Sequence, residues 1–485
     1  MDTAIGSVES QVDSLDREID ENERSTAATR RQHYLDRLVA QAKAAADDSG
    51  LGLKPLRERA LGLVGDRTFP HGRDEEWRFT DLSDLLAVPL VRAQPVDMAA
   101  SDMAASDMAA SAAKEAAFLD AEQRLATVNG YYSAALSATE KKIAGVAIAP
   151  LSELLKDPAY SQKVGEAIAS KLAQAEGGAE VFTALNTAGF SDVMVVWVSA
   201  DTVVDAPIYI TRGSQVSDSQ VSDSQASDSQ NNAIAHLRML VMADRHAKFT
   251  LVESFWGDDE QMRCNNSVTE IWLEEGAQVE HVRLQDEGDE TFHIAKTAIS
   301  QAQNSHYCCT AVDLGARLSR HHLEVYQLGP QTETYLYGLS ALNRRQLADT
   351  HSLVKLRHPH GGAAQIQKNI IDDRAHAVFN GKLYVTKEAQ LTNASQLNRN
   401  LLLSDGGRVD TKPELDIVAD NVKCAHGATV SQLQADELFY LQSRGISADR
   451  AKWLLLYGFA MEIVEKISVA PVKQLLSDRI TSWTR

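Results

Sequence analysis

The sequence predicts a mixed, mainly β protein in which a central block of strands lies between two helical regions. In the first third, apolar residues recur at the three- and four-residue spacing that is typical of amphipathic helices. From about Val181 onward, β-branched and aromatic residues gather instead in short runs that turn residues separate. From Asp436 to the end of the sequence, the helical spacing returns.

The N-terminal helical region begins with an apolar stripe between residues 34 and 46, which predicts an amphipathic helix. Pro55 stands where the first turn of a helix tolerates proline, because an N–H group would be unpaired there anyway. Three repeats of Asp-Met-Ala-Ala-Ser follow at residues 97–111. They offer little apolar surface for packing, so we expect a solvated linker or a frayed helix there.

The central block restricts the fold to a β-sandwich, a β-barrel or a β-solenoid, because many short strands occur with almost no helical periodicity. Glu-Gly-Ala at 275–277 and Leu-Gly-Ala at 314–316 have the small residues that a solenoid corner needs. Residues 214–230 alternate Ser, Gln and Asp, which indicates an insertion between two strands. The pattern alone leaves the three folds open. The predicted strands include residues 193–198, 208–210, 249–252 and 268–273.

Two helices are predicted at the C-terminal end, one at residues 436–443 and one that Ser447 caps, with Gly445 in the turn between them. The second helix has a wide apolar face that needs a cover, either the end of the strand block or another protein. This face consists of Ala451, Leu455, Leu456, Phe459, Ala460, Ile463, Val464 and Ile467.

The composition is acidic, with 67 Asp and Glu against 48 Lys and Arg and a formal net charge of −19. Such a surface repels nucleic acid and anionic lipid, so we expect neither as a partner, and it suits docking to a basic protein. No apolar run approaches the ~20 residues of a membrane helix. The acidic N-terminal residues match neither a secretory signal nor a transit peptide. Because four cysteines are too few for a disulfide framework, we expect a reducing, cytoplasmic location.

Three segments carry a resemblance to a known family. Residues 412–446, KPELDIVADNVKCAHGATVSQLQADELFYLQSRGI, closely resemble the C-terminal signature of the SufB/SufD family of scaffolds for iron–sulfur cluster assembly. RDEEWRFTDL at 73–82 resembles the family's N-terminal helical motif, and FTALNTAGF at 182–190 resembles the entry to its core. CAHGAT at 424–429 is more similar to the SufD branch than to the SufB branch, which carries acidic residues around the aligned histidine.

The resemblance implies a right-handed parallel β-helix core flanked by N-terminal and C-terminal helical domains. On this basis we expect domains at residues 1–180, 181–432 and 433–485. The family implies a non-catalytic scaffold subunit of a SufBCD complex. SufD pairs there with a SufB-like subunit through the β-helix, and its C-terminal helices bind the SufC ATPase.

Cys424 and His426 are the candidate metal ligands, and the family places the histidine aligned with His426 at the SufB interface. The resemblance implies a transient iron–sulfur cluster there. Residues two apart on a strand point to the same face, about 7 Å apart along the backbone, so a thiolate and an imidazole there can reach one metal. Both side chains suit iron as ligands.

The remaining histidines and cysteines are weaker candidates. The turn-forming sequence around His358 and His360 predicts an exposed loop. Adjacent residues on a strand face opposite sides, which argues against joint ligation by the histidines at 321–322 or the cysteines at 308–309. Cys264 is predicted at a strand end.

The sequence lacks the G-x-x-x-x-G-K-[ST] loop of P-loop ATPases, so we expect ATP hydrolysis to come from a separate partner chain. Two alternatives stay open at this point. One is a SufB-like or homodimeric cluster scaffold. The other, more remote, is a β-helix enzyme that acts on polysaccharide.

Overall fold

The computed structural model describes residues 27–43, 51–95, 121–139, 141–177, 180–214, 232–257 and 262–483. Successive strands alternate between two sheets, and each strand of the core pairs in parallel with the strand two positions later in the sequence. The chain therefore coils as a parallel β-helix, which confirms the predicted fold. The low-complexity residues 97–111 and 215–230 lie outside the described ranges.

Sheet A and sheet B form the two walls of the β-helix, and one strand from each wall makes up one turn. Sheet A contains β1 (Val91–Arg92), β4 (Val146–Pro150), β5 (Met194–Val198), β7 (Ala233–Ala243), β9 (Arg263–Leu273), β11 (Thr291–Gln301), β13 (Leu318–Gln327), β15 (Leu347–Leu356), β17 (His376–Val385) and β19 (Arg408–Ile417). Sheet B contains β2 (Arg124–Val128), β3 (Tyr131–Tyr132), β6 (Ile208–Ser214), β8 (Lys248–Gly257), β10 (Gln278–Asp286), β12 (His306–Asp313), β14 (Glu333–Leu342), β16 (Gly362–Ile371), β18 (Asn393–Leu402) and β20 (Lys423–Gln432).

Helices flank the β-helix on the N-terminal and C-terminal sides. The N-terminal helices are α1 (27–43), α2 (Lys54–Gly65), α3 (Ser83–Ala87), α4 (Leu151–Leu154), α5 (Ser161–Lys171) and α6 (Val181–Gly189). The C-terminal helices are α7 (Ala435–Ser443), α8 (Ala448–Val464) and α9 (Ala470–Trp483). The predicted helix start at Pro55 and the Ser447 cap are confirmed, since Ser447 Oγ accepts from the N–H of Arg450.

The interior of the β-helix is apolar along one side and polar along the other. Because parallel pairing keeps equivalent residues in register, each inward position becomes a column that runs from turn to turn. One apolar column consists of Val241, Ile271, Ile299, Val325, Val354 and Leu383. The charged residues buried along the polar side include Arg212, Glu253, His281, Arg283, Glu287, His293 and Asp313.

The segment around Trp77 fastens the N-terminal helices to the outer face of sheet A. The Arg320 guanidinium lies 4.0 Å from the Trp77 ring centroid, and Trp77 is 6 % exposed. His351 Nδ1 lies 3.3 Å from Glu76, and Lys412 Nζ donates to Glu75 Oε1 at 2.7 Å. The RDEEWRFTDL motif is therefore a docking segment. It contacts β13 through Arg320, β15 through His351 and β19 through Lys412.

The C-terminal helices α8 and α9 pack on the outer face of sheet B. Ile463 and Ile467 are fully buried in a cluster that includes Val282 and Leu339 of the sheet. The apolar face predicted for this region is thus covered mainly by the side of the β-helix rather than by its end. Among the described helices, none is long and apolar enough to cross a bilayer.

Candidate functional site at the open end of the β-helix

The last turn of the β-helix, formed by β19 and β20, is its open end. Both sheet orders terminate there, so β19 pairs only with β17 and β20 pairs only with β18 among the described strands. The inward residues of this turn have the preceding turn beneath them and no strand above them. The burial pattern reflects this, since β18 alternates between exposed and buried positions whereas β20 is mostly exposed.

Hydrogen-bond direction shows which backbone groups face outward from the open end. The N–H of Lys423 donates to the Thr392 carbonyl at 2.9 Å, so odd-numbered residues of β20 point toward β18. Successive peptide groups of a parallel strand alternate between its two neighbours. The N–H groups directed away from β18 therefore belong to Cys424, His426, Ala428, Val430 and Gln432.

The open edge of β19 has one N–H donor fewer than the open edge of β20. The N–H of Arg408 donates to the Ala375 carbonyl at 2.9 Å, which directs even-numbered residues toward β17 and odd-numbered residues outward. Pro413 is at an outward position, and proline has no N–H to offer. An added strand can thus bond fully along β20 and only partly along β19.

Cys424 and His426 lie in adjacent inward positions of β20. They are in register with Ala394 and Gln396, which are buried inward residues of β18. Cys424 is half-buried and packs against the apolar core, whereas His426 is exposed. The two side chains therefore belong to one face, in agreement with their two-residue spacing.

Burial raises the pKa of the Cys424 thiol, and a backbone hydrogen bond from Ala394 only partly offsets this effect. The group is thus a neutral thiol in the isolated chain at neutral pH. A thiol of this kind becomes a thiolate when a metal ion takes the place of its proton.

The other sequence candidates do not join this site. His358 and His360 lie in a turn, and His360 has a φ of 62°. His321 points inward and shares a hydrogen bond with Thr297, whereas His322 points outward toward Glu324. These findings confirm the predicted turn and the predicted opposite orientations.

The cysteines at 264, 308 and 309 are also remote from the open end, and all four cysteines of the chain are free. Cys309 is buried in the β-helix interior, and its neighbour Cys308 is half-buried on the other side of the strand. Burial raises the pKa of Cys264 to about 12, with a smaller effect from Glu287. A thiol with so high a pKa has almost no thiolate at neutral pH.

Sequence reasoning missed a buried charged cluster deep in the β-helix. Arg212 lies 3.0 Å from Glu253, and Glu253 lies 3.3 Å from His281 Nε2, with all three side chains about 1 % exposed or less. His281 Nδ1 and the Tyr307 hydroxyl share a 2.9 Å hydrogen bond. The signal was present as polar residues at alternate positions of short strands, but only the register brings them together.

A second exposed feature lies beside the open end. Helix α7 follows β20 directly and buries none of its residues, and Phe439 and Tyr440 are 72 % and 58 % exposed. Large aromatic side chains exposed next to each other are typical of interaction surfaces.

Comparisons with known proteins assign the family. Residues 28–210 match the SufBD protein N-terminal region, and residues 225–459 match the SufBD core domain of the SUF system for FeS cluster assembly. An iron–sulfur cluster assembly SufBD family protein of Synechocystis sp. is 40 % identical over 459 residues, which cover 93 % of this chain and 95 % of that protein.

Two further relatives support the same family assignment. The chloroplastic protein ABCI7 of Arabidopsis thaliana is 31 % identical, over 87 % of this chain and 84 % of that protein. The iron–sulfur cluster assembly protein SufD of Escherichia coli is 30 % identical, over 51 % of this chain and 58 % of that protein. With the parallel β-helix and the two family regions together spanning most of its length, the chain belongs to the SufBD family of iron–sulfur cluster assembly proteins.

Proposed function

We propose that this chain is a non-catalytic scaffold subunit on which iron–sulfur clusters are assembled together with partner subunits. The observation that carries the proposal is the open end of the β-helix, where Cys424 and His426 lie on one inward face beneath an unpaired strand edge. A nitrogen and a sulfur donor in this arrangement suit iron.

The partner at the open end is a SufB-like β-helix subunit. An unpaired edge with a full row of N–H donors is a template for strand addition, and a second β-helix end presents strands at the same spacing. Docking there covers His426 and excludes water from the inward face. It also lets the partner supply ligands, because cluster irons are four-coordinate and this chain contributes two candidate donors.

The two candidate ligands have different roles before a cluster forms. His426 is exposed, and a neutral imidazole binds a metal through its lone-pair nitrogen without releasing a proton. Cys424 has to lose its proton, and its raised pKa opposes this until a metal or a partner cation is present. We therefore assign initial capture to His426 and later attachment to Cys424.

A SufC-like ATPase docks on the C-terminal helices. The exposed pair Phe439 and Tyr440 supplies an apolar anchor, and Asp436 and Glu437 in the first turn of α7 supply negative charge beside it. Helix α7 is continuous with β20 through Leu433 and Gln434, so movement of the ATPase pulls directly on the strand that carries His426.

Co-purification tests the assembly. The tagged chain is expressed in the cells that encode it, and we expect an ATPase and a second SufBD-family chain to co-purify. A stable homodimer that holds a cluster without a second family member would support the homodimeric alternative. Recovery of the chain as a monomer from these cells would contradict the proposal.

Substitution of the candidate ligand tests the chemistry. His426→Ala should leave the chain folded, because the side chain is exposed in the free chain, and should leave the complex intact, because main-chain groups of β20 make the docking contact. It should abolish maturation of iron–sulfur enzymes in cells. His358→Ala, at an exposed turn, is the matched control. Normal maturation with His426→Ala would remove this residue from the site.

A further inference from the structure

Gln396 lies one turn below His426, in the same inward column of sheet B. The two residues are direct partners in the register of β18 and β20. Gln396 is 2 % exposed, so its carboxamide is inside the β-helix and has to find its hydrogen bonds there. The spacing of neighbouring strands, about 4.8 Å, is short enough for two such side chains to meet.

The carboxamide of Gln396 has a fixed orientation. Its Nε2 donates to Gln365 Oε1 at 2.9 Å, one turn deeper in the same column. Gln365 is itself fixed, since its Nε2 donates to Ser352 Oγ at 2.8 Å. Gly381 of sheet A faces the Gln396 carboxamide across the interior. A Cβ at Gly381 would lie 2.2 Å from Gln396 Nε2, so only glycine leaves room for the carboxamide there.

This orientation leaves Gln396 Oε1 as a buried acceptor without a hydrogen-bond partner in the described part of the chain. Because Nε2 is engaged with Gln365 in the turn beneath, the carboxamide oxygen is the group that remains for the turn above. The residue above it in the column is His426.

We propose that Gln396 is a positioning residue for His426, with Gln396 Oε1 accepting a hydrogen bond from the imidazole N–H that faces the interior. A neutral imidazole has one N–H and one lone pair. Fixing the N–H on the inner nitrogen leaves the lone pair on the outer nitrogen, where it faces the open end. A hydrogen bond from the ring nitrogen that does not bind the metal commonly sets the tautomer and ring orientation of a metal-binding histidine.

The consequence for ligation rests on the proposed function of His426, but the hydrogen bond itself does not. Imidazole ¹⁵N chemical shifts of the full-length chain at a pH where the ring is neutral report which nitrogen carries the proton. The His426 signals are assigned by their loss in His426→Gln. We expect one dominant tautomer in the natural sequence, and two tautomers in exchange in Gln396→Met, which removes the acceptor and keeps the side-chain length.

Gln367→Met is the matched control, because Gln367 is a buried inward glutamine in the neighbouring column of β16. It should leave the His426 tautomer unchanged. Gln396→Glu keeps an acceptor at the same place and should restore a single tautomer, which a merely structural role would not predict.

Unchanged ¹⁵N shifts of His426 in folded Gln396→Met would overturn the proposal, even if His426→Ala blocks cluster assembly. Conversely, a shift of tautomer together with normal enzyme maturation in His426→Ala would retain the hydrogen bond and remove the ligand role. The two results are therefore separable.

Discussion

At the scale of single residues, the charged cluster around His281 shows how the β-helix accommodates ionised groups in its interior. Burial alone would lower the pKa of His281, but contacts with Cys309 and Glu253 raise it to about 9. Burial alone would raise the pKa of Glu253, but Arg212 and His281 lower it to about 2. Each charge is thus held by an opposite charge, which offsets the loss of water.

We predict that His281→Gln lowers the free energy of unfolding by about 3 kcal/mol, because it leaves the buried Glu253 carboxylate with one fewer partner. The His281 pKa is raised in the folded state, so its contribution is complete below the unfolded value of about 6.5 and is lost as the pH rises through about 9. Tyr307, Cys309 and Arg283 also face this site. Chemical denaturation of the natural sequence and of His281→Gln between pH 6 and pH 10 should show that their difference in free energy of unfolding shrinks as the pH rises.

His358→Gln, on the exposed turn, is the control for that comparison and should leave stability unchanged at every pH. A stability difference for His281→Gln that stays constant or grows with pH would show that His281 is neutral in the folded protein.

At the scale of elements, the two backbone edges of β20 differ, because one edge bonds with β18 and the other faces the open end. The N–H of Ala425 points toward β18, and the N–H of Ala428 points away from it. A proline whose missing N–H would point away from the neighbouring strand removes no hydrogen bond within the chain. A proline whose missing N–H would point toward the neighbouring strand removes one.

We predict that Ala428→Pro keeps the melting temperature of the free chain and weakens binding of the SufB-like partner at least tenfold, since it removes one donor from the docking edge. Ala425→Pro is the matched variant and should destabilise the last turn itself. Thermal melts and partner titrations of both variants separate the two effects. Full partner affinity in Ala428→Pro would mean that the partner does not pair with this edge.

A buried cation adds to the apolar packing that holds helix α8 on the β-helix. Lys368 of β16 is 1 % exposed, and its Nζ donates to the Phe459 carbonyl at 2.9 Å and pairs with Glu462. The ammonium also lies 4.3 Å from the Phe459 ring centroid. The hydrogen bond and the ion pair add directional contacts to the apolar packing of this helix.

Replacing this cation tests the attachment. Lys368→Met should lower the stability of the C-terminal helices by about 1–2 kcal/mol, because the Phe459 carbonyl and Glu462 lose a donor, although Glu462 is partly hydrated and keeps Arg399 nearby. Limited proteolysis should cut α8 and α9 faster. Lys452→Met, at an exposed position of α8, is the control, and equal cleavage rates in the two variants would disprove the role of Lys368.

The sequence was sufficient for the amphipathic helices at both ends and for the strand block from Val181 onward, since these depend on local spacing. A distinctive signature singled out Cys424 and His426, and their role as ligands stays a prediction. Strands β2 and β4 lie in the region that was predicted to be helical. It was insufficient for contacts that depend on register. Glu76 and His351 touch across 275 positions of sequence, and Gln396 and Gln365 belong to different turns. No local pattern encodes such pairs, because turns of different length bring them together.

At the scale of the whole molecule, helices cover both walls of the β-helix, and within the described ranges none covers its C-terminal end. The Trp77 segment packs on sheet A, and α8 with α9 packs on sheet B. Strands in the middle, such as β9 and β11, have neighbours on both sides, whereas β20 has one neighbour among the described strands. Opening free energy should therefore decrease toward the open end.

Hydrogen exchange followed by mass spectrometry checks this gradient. Peptides from β9 and β11 should exchange slowest, and peptides from β20 should exchange fastest among the strands, because half of the β20 amides have no partner strand in the part of the chain that the structure describes. Adding the SufB-like partner should slow exchange in β20 and leave β9 unchanged. Equal protection of all three strands in the free chain would contradict the gradient.

The corners of the β-helix allow the protein to change length during evolution without losing its interior order. Cys309 pairs with Leu336 and Gln365 pairs with Gln396, although the two pairs are separated by different numbers of residues. Half of the four extra residues lie in the corner before β18 and half lie in β16, which is longer than β12, and residues 215–231 come between β6 and β7 in the sequence. An insertion at a corner therefore leaves the orientation of the strand residues unchanged, whereas a single insertion inside a strand turns every following side chain of that strand to the opposite face.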